Sequence, residues 1–138
     1  MNKKDVEKRI REYSEENKDH FNFFDYFAKP ISKNDIFDRL NENVILEKDS
    51  EFNELGINTL NIYFKLLAQA ISLEKDIQTN RNELAYIYYL ISYYISGFAH
   101  PPSGEKIGRY YIDKGIDLKP TNGKLQVYTN FREEIGAL

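Results

Sequence analysis

Apolar residues recur at helical intervals along nearly the whole chain. Val6, Ile10 and Tyr13 mark one stripe, with Lys, Arg and Glu on the other faces, so the spacing predicts a surface helix over residues 3–17. The aromatic run over residues 20–27 is too apolar to stay in water, and Pro30 bounds it; a short helix is expected there. Ser32, Asn34 and Asp35 offer side-chain acceptors to the free amides of a helix start, ahead of Ile36, Phe37 and Leu40. That helix is expected to end near Leu46. Asp49 or Ser50 then caps another helical stretch, which Gly56 interrupts before the stronger apolar pattern of residues 57–73. Leu60, Phe64, Leu67 and Ile71 are the expected buried face of that segment.

Residues 84–98 form the most apolar segment, and Asn80 with Glu83 three residues later gives it a capping signal. Leu84, Ala85, Ile87, Tyr88, Leu90, Ile91 and Ile95 surround much of its circumference, which predicts a central helix flanked on several sides. Gly97 is the expected left-handed stop. Pro101 and Pro102 then force a loop before a helix over 103–118, and Pro120 closes that element. Thr121 is the expected cap of a last helix whose Leu125, Tyr128, Phe131 and Ile135 share a broad face. The pattern as a whole predicts an all-α fold, a compact array of about six antiparallel helices making one domain over residues 1–138.

Composition narrows the function. With 138 residues the chain is long enough for one hydrophobic core and short for two. Its 11 Tyr and 9 Phe bury a large area despite the absence of Trp. The 19 basic and 22 acidic side chains leave a formal charge of -3 and are interspersed, which gives no footprint for nucleic acid. No uninterrupted apolar stretch is long enough for a membrane span, and the first residues run into charge where a signal peptide needs an apolar core. A cytoplasmic protein is therefore expected. Without Cys there is neither a disulfide framework nor a thiolate metal site, and no cofactor or metal is implied.

Residues 108–120 read Gly108-x3-Ile112-x2-Gly115-x4-Pro120, which resembles the second helix of a tetratricopeptide repeat, where small residues let neighbouring helices approach closely. Leu84-Ala85-x2-Tyr88 is similar to part of that family's first-helix signature, and Ala70 precedes Ala85 by the 15 residues between successive family positions. The resemblance covers about residues 60–120. It departs from the family at Arg81, where a large apolar residue is usual, and in about eleven extra residues between the two helices. It implies antiparallel helix pairs with a concave surface for protein or peptide recognition, and no catalytic residues. On that mapping Tyr88 packs, and Gly108 and Gly115 sit at close helix contacts.

Chemistry-bearing residues are sparse. The two His, His20 and His100, stand in no metal-ligand or triad spacing. The loop around His100 and Ser103 is the one place where a cryptic catalytic site is conceivable, although Ser103 is equally explained as a helix cap. Adjacent acids such as Glu133 and Glu134 point apart on a helix and read as a solvated face. The tyrosines of the central helix bury a ring and keep a polar tip, so they serve either packing or a protein contact; Tyr86, Tyr89, Tyr93 and Tyr94 are the candidate partner-binding residues.

The sequence thus points to a non-enzymatic protein-binding module. An immunity protein that binds and neutralises a cognate bacterial toxin is the leading expectation, since a stoichiometric inhibitor needs no chemistry of its own. A peptide-binding, tetratricopeptide-like adaptor or chaperone is the alternative, and an enzyme with a site near His100 the third. The apolar central helix also leaves room for a homodimer.

Overall fold

The computed structural model describes residues 2–16, 31–99 and 102–136. The helix expected over residues 20–27, and His20 and His100, lie outside the described residues. Among the described residues seven α-helices follow one another: α1 (Lys3–Glu16), α2 (Ile36–Arg39), α3 (Glu42–Leu55), α4 (Leu60–Leu73), α5 (Arg81–Tyr94), α6 (Gly104–Asp117) and α7 (Leu125–Gly136). Among the described residues there is no strand, and the fold is all-α.

Helix α5 is the axis of the array. Every residue from Leu84 to Ser92 is buried, because α4 and α6 pack along it, α2 and α3 close a further side, and the rings of α7 reach it at Tyr89. Its contacts with α6 run in opposite chain directions: Ala85 meets Gly115, and Ser92 and Ser96 meet Gly108. This antiparallel pair is close because the glycines have no side chain. A Cβ on Gly115 would stand 3.1 Å from the Ala85 carbonyl oxygen, and one on Gly108 3.0 Å from the Ser96 Cβ. Ser92 donates to the Gly108 carbonyl at 2.6 Å, satisfying a buried hydroxyl in the seam.

Local chemistry departs from the expected boundaries in several places. The helix anticipated over 36–46 breaks after one turn, since Leu40 is extended and Asn41 caps a new helix with its side chain, which accepts from the Val44 amide at 2.9 Å. Asp49 and Ser50 consequently lie inside α3 rather than at its start. Gly56 does end α3, at φ 69°, a backbone conformation that costs glycine little. Asn80 does not cap α5; its amide donates to the Leu73 carbonyl and ties the end of α4 to the start of α5. Gly97 is no left-handed stop, because the chain widens into a π-type turn over Ile95–Ala99. Ser103 precedes α6 without a side-chain cap bond. Thr121 likewise caps nothing, and its amide donates to Asn82 Oδ1 at 2.8 Å, fastening the α6–α7 link to α5.

The largest correction falls on α4. Its core face is Ile62, Leu66, Ala70 and Leu73, whereas Phe64 and Ile71 are 59% and 63% exposed and Leu60 and Leu67 are half-buried. The buried set also contains Gln69, whose amide donates to the Ile31 carbonyl while its oxygen accepts from the Ile31 amide, both at 3.0 Å. Two apolar stripes compete in this helix. The one that can also satisfy the buried backbone of Ile31 through Gln69 faces the core.

Candidate functional site

Helix α4 presents an apolar face directly opposite its buried one. Phe64 and Ile71 stand at its centre, exposed Ala68 lies between them, and Leu60 and Leu67 flank them at helical spacing. Large apolar side chains gathered in water on one face, with the opposite face already packed, give this face the composition of an interface.

Aromatic contacts carry the surface from α4 towards α6. The Tyr63 and Phe64 rings are 5.8 Å apart, and burial, with the Tyr63 phenol after it, pushes the Tyr111 hydroxyl above its ordinary pKa. Tyr111 lies 5.8 Å from Tyr88 and edge-on to Tyr110 at 5.1 Å, and Tyr110 is 58% exposed. Lys114 Nζ sits 4.9 Å from the Tyr88 ring centre and 5.3 Å from that of Tyr110, close enough for cation–π attraction. Burial, and after it the negative charge of Glu74, pushes the Tyr88 phenol far above its ordinary range, so it stays a neutral hydroxyl. The result is a band of aromatic and aliphatic side chains, with Lys114 against the Tyr88 and Tyr110 rings. Such a surface suits a folded protein partner better than a reaction, because tyrosine anchors cost little side-chain entropy on docking.

The four tyrosines singled out from sequence sit elsewhere, and they divide. Tyr86, Tyr89 and Tyr94 are buried and Tyr93 is half-buried. The Tyr94 hydroxyl donates to the Thr59 carbonyl and also lies 2.9 Å from Asp49 Oδ1, bracing α5 against α3 and the turn before α4. Tyr86, Tyr89 and Tyr93 gather with Phe37, Tyr128 and Phe131 in one aromatic cluster. Ring centres are 4.9 Å apart for Phe37–Tyr86, 6.3 Å for Tyr86–Tyr89, 5.1 Å for Tyr89–Tyr128 and 6.2 Å for Tyr93–Phe131. Burial first, and the Glu42 carboxylate after it, holds the Tyr89 phenol at about 12. Phe64 and Ile71 were expected from sequence in the core and are exposed instead, and Tyr110 and Tyr111 were not singled out from sequence. Period alone shows that α4 has an apolar stripe, not which of two stripes the core takes.

The possible catalytic loop is described only from Pro102 onward, His100 lying outside the described residues. Ser103 is exposed, with φ 65°, and Glu133 and Glu134 are exposed on α7. Among the described residues no group of three or more His, Cys, Asp or Glu is placed to hold a metal ion, and no helix is long and apolar enough to cross a membrane. No family model, curated protein or solved structure matches the chain.

Proposed function

We propose that this chain is a protein-binding module without chemistry of its own, and that it docks its partner on the outer face of α4 and the aromatic band that continues to α6. The observation carrying this reading is the exposure of Phe64 and Ile71 opposite a helix face that is already fully packed. In its specific form the module is an immunity protein: a small acidic domain, net charge -3, that neutralises one cognate bacterial toxin by covering a working surface. A second reading, a tetratricopeptide-like adaptor for peptides, draws on the close α5–α6 approach at Gly108 and Gly115 and on the packed ring of Tyr88.

The test is affinity capture from the native cell with the wild-type chain and with the double variant Phe64→Asp, Ile71→Asp, followed by assay of the captured protein alone and in complex. One partner that the double variant fails to retain, and whose activity falls on binding, supports immunity. Several partners sharing a peptide segment favour the adaptor. A partner held equally well by the double variant removes the α4 face from the proposal.

A further inference from the structure

Helix α6 ends at Asp117 and α7 begins at Leu125, and the link between them is anchored on both sides. At one anchor the Thr121 amide donates to Asn82 Oδ1 at 2.8 Å, and Asn82 Nδ2 donates to Thr121 Oγ1 at 3.2 Å. At the other the Tyr128 amide donates to the Lys124 carbonyl at 3.1 Å, opening α7, and the Tyr128 ring stacks on Tyr89. Asn122 and Gly123 stand between the anchors, and both are exposed. Neither takes part in a hydrogen bond among the described residues.

Gly123 adopts φ 80°, a conformation that glycine takes at little cost, and nothing lies within 4 Å of where its Cβ would stand. Its amide nitrogen therefore has no side chain of its own shielding it from the neighbouring Asn122 carboxamide. This is the one Asn-Gly pair in the 138 residues, and every other Asn precedes a residue that carries a Cβ. Asn41, Asn58 and Asn82 moreover hold backbone amides with their side-chain oxygens, which fixes those carboxamides in place.

We propose that Asn122 is a site of spontaneous deamidation, and that its isoaspartyl product loosens the anchor between Asn82 and Thr121. The Gly123 amide nitrogen gives its proton to solvent base and attacks Asn122 Cγ. The new N–Cγ bond closes a five-membered succinimide, and the side-chain nitrogen takes a proton from water and leaves as ammonia. One water then opens the ring. Cleavage of the Cγ–N bond gives Asp, and cleavage at the main-chain carbonyl gives isoaspartate, in which Asn122 Cβ has become part of the main chain. Either product carries one new carboxylate. Ahead of the first turn of α7 that charge is favourably placed, so the Asp form keeps the link as it is. The isoaspartyl form adds a main-chain atom between two fixed points. Tyr128 is fully buried whereas Thr121 is exposed, so the Asn82–Thr121 contact is the anchor that yields. The inference is independent of the α4 docking face.

The full chain would be incubated in heavy-oxygen water at neutral and mildly alkaline pH, then digested and mapped by mass spectrometry, with isoaspartate assigned by electron-transfer fragmentation. Conversion is expected at Asn122 before any other asparagine, with one solvent oxygen incorporated, isoaspartate among the products and a rate that rises with pH. Asn122→Gln, whose ring would have to be six-membered, should stay unconverted over the same period. A synthetic peptide spanning residues 119–125 gives the rate of the free pair. A folded chain that stays unmodified while the peptide converts, or that converts first at another asparagine, overturns the site. Hydrogen exchange at the Thr121 amide then tests the consequence. It should quicken about tenfold in the isoaspartyl chain, the protection that one hydrogen bond gives, and match wild type in Asn122→Asp. Asn82→Ala, which removes the anchor outright, sets the fully loosened value. Unchanged exchange in the isoaspartyl chain, with faster exchange in Asn82→Ala, overturns the loosening.

Discussion

Replacing Tyr128 by Phe should make the protein more stable. The side chain is fully buried, stacks on Tyr89 at 5.1 Å, and carries a hydroxyl with no partner among the described residues. In the unfolded chain that hydroxyl is hydrated, so folding strips it of water and returns nothing. An unsatisfied buried hydroxyl costs about 1–3 kcal/mol. Phe keeps the ring and its stacking, and the void left by one oxygen takes back part of the gain, leaving roughly 1 kcal/mol of net stabilisation. An unfolding entropy of about 2.1 cal/mol/K per residue over 138 residues makes this a rise in Tm of about 3 °C.

Tyr94→Phe is the matched control. Tyr94 is as buried, but its hydroxyl donates to the Thr59 carbonyl, beside Asp49. Its loss strands a buried acceptor and should cost about 1–2 kcal/mol. Thermal melts by far-UV circular dichroism and urea titrations of the three proteins would measure both signs. If Tyr128→Phe falls in stability as Tyr94→Phe does, the Tyr128 hydroxyl has a partner, and the argument from its isolation fails.

Gly115→Ala sets a helix-propensity gain of about 1 kcal/mol against a Cβ at 3.1 Å from the Ala85 carbonyl oxygen. Because a backbone oxygen yields only if α5 shifts, overpacking of about 1–3 kcal/mol should win, read as a lower urea midpoint. Asn41→Ala removes the cap on the Val44 amide and should cost about 1 kcal/mol in the same assay. Phe64→Asp and Ile71→Asp together should leave the melting curve within about 0.5 kcal/mol of wild type, because both sites are exposed. Alkaline titration should unfold the chain as the buried phenols ionise. Burial raises the Tyr89 pKa to about 12 from an unfolded value near 10, so its stabilisation is complete below pH about 10 and disappears as pH rises through about 12. A transition completed below pH 9, followed by circular dichroism, would contradict this.

Helix periodicity and punctuation made the all-α class legible in the linear chain. The apolar segment from Leu84, behind the capping signal of Asn80 and Glu83, read as a helix covered on several sides, and Gly56 ends α3 where its freedom at positive φ is used. Gly108 and Gly115 likewise marked the close α5–α6 approach, since only the absence of a Cβ allows it. Caps were less legible. Asn80, Ser103 and Thr121 have the right chemistry for capping, yet tertiary neighbours draw Asn80 and Thr121 elsewhere, while Asn41 does cap because Leu40 turns out of α2 beside it. Tertiary structure alone decided which stripe of α4 faces the core. Both stripes recur at helical spacing, and the choice rests on Gln69 meeting the backbone of Ile31, a partner 38 residues away. It also decided the fate of the tyrosines. Sequence gives each a ring and a hydroxyl, but only packing buries Tyr94 on Thr59, leaves the Tyr128 hydroxyl without a hydrogen-bond partner among the described residues, and exposes Tyr110 beside half-buried Tyr111.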